Sequence, residues 1–341
     1  MQQTHDRAAR VARPDRVAYR AAVLRANRPA NVPEGRCVGL VGCGRWGSLI
    51  LRDLVDLGAE VCVVATSTEG RRNAAEGGAA AIVDRLEALP AVEGVVVASP
   101  TTTHAAILDA VLERGAPVFV EKPMTADVAS ARRLAARAEG RLFVMDKWRY
   151  HPGVLALAEL ARDGKLGRVV GLRTVRQQPR SLHSDVDATW ILAPHDLSIG
   201  LEILGAIPTP RIAHAEHVGG WVTGLVGALG TDPWLTLDLS TRHPAHRREL
   251  HLHGTDGVAS LSDAYAAHVL VRRDADPGEP ERIELANDLP LRAELAAFLG
   301  FLAGGAPPKS SAAEGLATVE AIAGLRRLAG VPNPIARGAA R

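Results

Sequence analysis

The stretch Arg36-Cys37-Val38-Gly39-Leu40-Val41-Gly42-Cys43-Gly44-Arg45-Trp46-Gly47 decides how this chain is read. Its first half is a short apolar run suited to a strand buried on both faces. Three glycines follow in the spacing G-x-G-x-x-G, and Trp46 to Leu57 continues as an amphipathic helix. Glycines at strand–helix turns are common, so the triplet alone says little. Set directly between strand and helix, it predicts a dinucleotide-binding turn. Gly42 permits the tight turn, Gly44 lets a pyrophosphate approach the backbone, and Gly47 lets the helix pack on its strand. Arg45 and Trp46 then open a helix whose free N–H groups and partial positive charge face the phosphates.

Working outward, apolar runs at 60–65, 94–98, 117–120 and 141–144 read as further strands, with helical patterns at 103–114 and 126–138. Strands alternating with helices of this length predict a Rossmann-type, doubly wound parallel sheet over 36–150. Beyond 150 the rhythm changes. Helices are expected near 153–163 and 189–204, and strands at 168–177, 219–229, 234–241, 247–254, 258–261 and 267–273. Period-two alternation in Leu235-Thr236-Leu237-Asp238-Leu239 and Glu249-Leu250-His251-Leu252-His253 predicts an antiparallel sheet with one wet face. Pro277-Gly278-Glu279-Pro280 reads as an exposed loop, and helices 291–303 and 311–329 close the fold. The expected organisation is an extension over 1–35, a dinucleotide domain over 36–150, a substrate and oligomerisation domain over 151–330 whose last helix packs back, and a tail over 331–341.

Composition narrows the function classes. The 341 residues are 47% apolar and 23% charged with a formal net charge of +2, which gives no general drive toward nucleic acid or membrane. Cys37, Cys43 and Cys62 form no CxxC pair, so neither a disulfide framework nor a zinc knuckle is suggested. Met1-Gln2-Gln3-Thr4-His5-Asp6 lacks the apolar core of a secretory signal and no apolar run reaches membrane-spanning length, so the expected setting is the cytoplasm. The first 35 residues carry Arg7, Arg10, Arg13, Arg16, Arg20, Arg25 and Arg28, read as a solvated extension or as a basic arm for a polyanion or partner. His251-x-His253 and His214-x-x-His217 lack Cys or carboxylate partners in a metal pattern, so no metal is expected.

The end of the second strand bears on cofactor choice. NAD sites place Asp or Glu there to hold the ribose hydroxyls. This chain reads Ala65-Thr66-Ser67-Thr68-Glu69-Gly70-Arg71-Arg72. The carboxylate is replaced by the hydroxyls of Thr66 and Ser67, and Arg71 or Arg72 can pair with a 2′-phosphate. NADP is therefore expected, with NAD as the alternative through Glu69.

Three further motifs add a family resemblance. They are Val97-Ala98-Ser99-Pro100-Thr101-Thr102-Thr103-His104, Glu121-Lys122-Pro123 and Pro194-His195-Asp196-Leu197. With the glycine turn, they make 36–330 resemble the glucose–fructose oxidoreductase / inositol dehydrogenase (Gfo/Idh/MocA) family. The resemblance implies a large open, mainly antiparallel second sheet and a nicotinamide bound between the domains. It also implies sugar, sugar-nucleotide or cyclitol substrates, a cis peptide before Pro123, and a homodimer or homotetramer built through that sheet. Ser99, Pro100, Thr101, His104, Glu121 and Lys122 would line the cofactor. Lys122 would contact the reacting oxygen, and His195 would be the general acid/base. Chemistry agrees, because carbinol oxidation needs a base, ketone reduction needs an acid, and imidazole serves both.

The family usually carries Trp-Asp-x-x-x-His, whereas this chain reads Trp190-Ile191-Leu192-Ala193-Pro194-His195. Isoleucine cannot hold a substrate hydroxyl, so Asp187, eight residues before His195, and Asp196, next to it, are the candidate replacements. Trp190, Lys147, Arg149, Tyr150 and Arg180 are further substrate candidates by location, with Asp146, His151, Arg173, His183 and Ser184 nearby. The leading function is hydride transfer between a nicotinamide and a hydroxyl or keto carbon. The alternatives are an imine or enone reductase on the same scaffold and a non-catalytic dinucleotide-binding regulator.

Overall fold

Cys37–Val41 (β1) lies between two parallel neighbours, Glu60–Val64 (β2) and Gly94–Val97 (β4), in a computed structural model of the chain. A central strand of this kind has no wet face, which is why the run from Val38 is buried and shows no alternation. Ala81–Val83 (β3), Val118–Glu121 (β5) and Leu142–Met145 (β6) complete a parallel sheet in the order β3-β2-β1-β4-β5-β6. The structure describes residues 35–138, 140–181, 185–276 and 278–332. The arginine-rich extension before Gly35, the tail after Pro332, His183 and Ser184 lie outside the described residues.

Arg45–Asp56 (α1), Thr68–Glu76 (α2), His104–Glu113 (α3) and Val128–Ala138 (α4) are the crossover helices of this half. Val41, Val64, Val95, Val97, Val118 and Val120 pack toward Leu108, Val111 and Leu134 of α3 and α4. The opposite side chains, Val38, Leu40, Val61, Val63, Val96 and Phe119, pack toward Ile50, Leu51 and Leu54 of α1.

The second half contains Pro152–Arg162 (α5), Val169–Gln177 (β7), Ala188–Leu204 (α6) and seven further strands. These are Pro210–Val218 (β8), Trp221–Leu229 (β9), Trp234–Ser240 (β10), Arg247–Gly254 (β11), Gly257–Leu261 (β12), His268–Arg273 (β13) and Glu281–Glu284 (β14). They form one sheet in the order β14-β13-β12-β11-β7-β10-β9-β8, antiparallel except where β10 runs parallel to β7. Leu172, Leu235, Leu237, Leu250 and Leu252 are buried on one face. A Cβ added to Gly200 of α6 would lie 2.8 Å from Leu235 Cδ2, so α6 lies on that face at close range. β3, β8 and β14 are not anticipated by the sequence pattern. β3 is three residues long, and β14 (Glu-Arg-Ile-Glu) is a charged edge with only a partly buried isoleucine.

Pro290–Leu302 (α7) and Ala312–Leu328 (α8) end the described fold. The sequence groups 291–303 with the second domain, but the helix packs on the first sheet. Leu291, Leu295, Phe298 and Leu299 share the α1 side of that core, and Phe298 stacks on Phe119 with ring centroids 5.1 Å apart. The first core is thus completed by a helix from the far end of the chain.

Candidate active site

At the glycine turn, Gly42 has φ +93° and an added Cβ would fall 2.8 Å from the Ala98 carbonyl oxygen. Gly47 is tighter, since its Cβ would fall 2.2 Å from Gly42 O. Gly44 differs from both. It is the N-cap of α1, makes no side-chain cap, and an added Cβ would meet nothing within 4 Å. The helix therefore presents uncapped N–H groups to open space, the arrangement a pyrophosphate requires. Asn73 Nδ2, which the sequence does not single out, donates to Cys43 O at 3.0 Å and holds the turn.

At the end of β2, Ser67 caps α2 by accepting from Gly70 N at 3.0 Å. The exposed Arg71 turns back toward the strand end, its guanidinium donating to Thr66 O at 3.1 Å. Thr66 and Arg72 are exposed beside it, and no carboxylate takes the strand-end position.

Across the sheet, the Lys122–Pro123 peptide is cis. His104 is buried with its ring nitrogens 2.9 Å from Pro123 O and 3.0 Å from Ser99 O, so it braces the two turns together. That internal role replaces the cofactor contact expected of His104. Thr103 Oγ1 donates to Ser99 Oγ at 2.8 Å, and Thr101 is buried beneath Pro100 in the same short turn. Glu121 is likewise engaged within the protein. One oxygen accepts from the Trp46 indole and the other from Lys122 N. Lys147 places its ammonium 4.5 Å from the Trp46 ring centroid, so Trp46, Glu121 and Lys147 form one assembly beside the glycine turn.

Lys122 and the helix bearing His195 meet between the two sheets. Lys122 Nζ lies 3.4 Å from Ile191 O, four residues before His195 on α6. Burial depresses the Lys122 ammonium below the usual lysine range, opposed by Glu121 and Asp146. His195 Nδ1 is buried with no partner among the described residues. Burial, reinforced by Lys122, Arg176, Lys147 and Arg248, holds the His195 imidazole well below the ordinary histidine value. It is neutral at physiological pH. Asp146, buried next to this pair, is pushed by desolvation up to about 7. Glu294 of α7 is wholly buried with neither oxygen bonded among the described residues, and burial, reinforced by Glu121 and Asp146, pushes its carboxyl well above the usual carboxylate range.

Other candidates from the sequence face elsewhere. Asp187 is not a substitute for the carboxylate at 191. It caps α6, accepting from Thr189 N at 3.1 Å, and its two oxygens receive the Arg326 guanidinium at 2.8 and 2.6 Å. Trp190 is fully buried beneath the Arg326 guanidinium, whose carbon is 5.8 Å from the ring centroid. Arg149 pairs with Glu202 at 2.9 Å and Glu314 at 3.0 Å. Tyr150 accepts from Lys309 N at 2.8 Å, and desolvation raises its phenol above the ordinary range. These four are structural. Arg180 is exposed beyond β7, its carbonyl accepting from Gln178. Lys147 alone among the basic candidates after β6 stays at the cleft.

Residues 36–144 match the family model described as "Oxidoreductase family, NAD-binding Rossmann fold" (GFO_IDH_MocA). Over these residues the chain is similar to the Gfo/Idh/MocA oxidoreductases. Inositol 2-dehydrogenase 1 of Saccharopolyspora erythraea is 34% identical over 158 residues, 43% of this chain and 47% of that one. UDP-N-acetylglucosamine 3-dehydrogenase of Acidithiobacillus ferrooxidans is 29% identical over 236 residues, 64% of this chain and 73% of that one. The match thus spans about half the length of the inositol dehydrogenase relative and more of the nucleotide-sugar enzyme. The solved structure of the Acidithiobacillus enzyme superposes with TM-score 0.75 at 22% identity, covering 87% of this chain and 98% of that one. A 3-ketoreductase from Actinomadura kijaniata, solved with TDP-benzene and NADP, gives TM-score 0.75 at 20% identity over 86% and 97% of the two chains. These structures share the two-sheet fold.

Arg176, Arg248 and Glu294 are ionisable groups near the site that the sequence pattern does not single out. Strand parity carries the signal for the first two. Leu172, Thr174 and Arg176 share one face of β7, as do Arg248, Leu250 and Leu252 of β11, so both arginines point with the buried leucines. Arg173, noted from sequence, is on the opposite face. No helix among the described residues is long and apolar enough to cross a membrane.

Proposed function

We propose that this chain is an NADP(H)-dependent dehydrogenase/reductase acting on a CH–OH or C=O carbon of a sugar, sugar nucleotide or cyclitol. The observation behind the proposal is the convergence of Lys122, from the end of β5, with the helix turn that bears His195. The uncapped α1 N-terminus above Gly44 suits the pyrophosphate, and Ser67, Arg71 and Arg72 suit a 2′-phosphate. When bound, nicotinamide supplies the hydride acceptor or donor. The rest falls to the protein. Neutral His195 takes the hydroxyl proton during oxidation and returns it during reduction. The Lys122 ammonium donates a hydrogen bond to the oxygen as negative charge grows there. Lys122 and His195 are only partly exposed, which limits screening of that interaction by water.

Purified protein incubated with NADP⁺ and a panel of sugars, cyclitols and nucleotide sugars is expected to generate absorbance of the reduced cofactor with at least one member. Absence of turnover across the panel in both directions would reject the reading. We also propose assembly through the outer face of the second sheet. Ile212 and Val226 stand 69% and 57% exposed there on adjacent strands. A light-scattering mass equal to the monomer would exclude it.

A further inference from the structure

Arg248 and Arg176 lie directly opposite each other on β11 and β7, both on the face turned toward α6. Like charges in register across a ladder oppose folding, so each guanidinium calls for compensation. Arg176 has it. Its guanidinium holds Asp196 at 2.8 and 2.7 Å and lies 4.4 Å from the Trp148 ring centroid. Arg248 does not. Among the described residues it forms no ion pair; its Nη atoms donate to Gln177 O at 2.6 Å, Arg247 O at 2.8 Å and Gln178 Oε1 at 2.8 Å, with the exposed His246 Nδ1 3.5 Å from Nη2, none of them a carboxylate. Its Nε–H donates to no described residue. The carboxylates whose fields reach it are committed elsewhere, Asp196 to Arg176 and Asp263 to Tyr265 N at 2.9 Å. Neutral acceptors thus aim a guanidinium without neutralising it, at a site whose field extends to the His195 imidazole. Ile191, one helical turn before His195, brings no negative charge to the same cleft.

We propose that the substrate carries an anionic oxyacid group, carboxylate or phosphate, and that Arg248 binds it through its free Nε–H, holding the reacting carbinol toward Lys122 and His195. The inference rests on the proposed oxidoreductase reading and narrows its substrate to acidic or phosphorylated polyols. Arginine suits the task because its planar fork pairs with oxyanions while remaining charged at any physiological pH.

The test separates binding from turnover. Calorimetric affinities are measured for NADPH-saturated protein with glucose, glucuronate and glucose 6-phosphate, and cofactor turnover is followed in parallel. At least one anionic sugar should bind tenfold or more tightly than glucose, and which one does identifies carboxylate or phosphate. Arg248→Gln should abolish that preference while leaving glucose binding unchanged, and Arg248→Lys should retain only part of it. An unchanged preference in Arg248→Gln overturns the inference, as does equal binding of all three sugars or no binding of either anionic one. Arg248-dependent anion binding upholds it even where the full panel gives no turnover in either direction, the result that rejects the oxidoreductase reading. Should Arg248→Gln misfold, the wild-type ratio and Arg248→Lys decide.

Discussion

The Lys122 ammonium reaches from the end of β5 to the Ile191 carbonyl oxygen, 3.4 Å away on the helix that carries His195. The contact uses backbone, so it does not depend on the side chain at position 191. The lysine is held in place with no carboxylate at position 191.

Lys122→Ala is expected to lower kcat by about a thousandfold, the scale seen when a donor to a developing oxyanion is removed. NADPH affinity, followed by fluorescence quenching, should remain within a few-fold of wild type. Lys122→Arg should not restore turnover, because the wider guanidinium cannot occupy the ammonium's position. Wild-type turnover in Lys122→Ala would remove the lysine from the chemistry.

The pH profile follows from the depressed His195 imidazole. Protonated imidazole cannot act as base, so alcohol oxidation falls only on the acid side of its pKa. With that pKa lowered, kcat/KM should stay level through neutrality and begin to drop below the ordinary histidine value. His195→Asn should lose roughly 10²–10⁴-fold in rate and show no such acid limb. A wild-type limb centred above neutrality would contradict the assignment.

Gly44 and Gly47 should fail differently. Gly47→Ala sets a Cβ 2.2 Å from Gly42 O and should lower Tm even without cofactor. Gly44→Ala meets nothing within 4 Å, so the protein alone should keep its Tm while dinucleotide affinity falls roughly tenfold as the methyl intrudes on the phosphate path. Equal thermal losses in both would argue against a phosphate site there.

Ser67→Asp preserves an N-cap on α2, since aspartate caps as well as serine. It places a carboxylate where a 2′-phosphate would bind. Losing charge-assisted bonds worth about 1.5–3 kcal/mol should shift the NADP⁺/NAD⁺ ratio of kcat/KM toward NAD⁺ by about tenfold or more. A ratio below one in the wild type would refute the NADP preference outright.

Asp187→Ala separates structure from substrate binding. Removing the partner of a buried guanidinium costs roughly 3–5 kcal/mol, so Tm should fall markedly. Substrate KM should hold, because the carboxylate faces Arg326. A tenfold KM change at unchanged Tm would return Asp187 to the cleft.

The parallel sheet was readable because strands covered on both faces must be continuously apolar, as Val95-Val96-Val97 is. β3 and β14 were not, because edge strands this short bury too little to leave a pattern. Asp187 misleads because spacing of eight suggests a shared helical face, whereas a residue at the cap is not yet in the helix. Arg149 and Tyr150 adjoin Lys147 in sequence, but the short turn Lys147–Tyr150 sends successive side chains in different directions. Arg176 and Arg248 were within reach of parity counting along their strands. Glu294 gave only one sign, a carboxylate among the apolar residues of its helix.

The packing of Phe298 on Phe119 means that the nucleotide-binding half is not a detachable cassette. A fragment ending after Tyr150 would leave Phe119, Leu54 and their neighbours facing water where Leu295, Phe298 and Leu299 now lie. Completion of the first core therefore waits until Pro290–Leu302 has been synthesised, and grafting this half onto a foreign catalytic module would require carrying that helix with it.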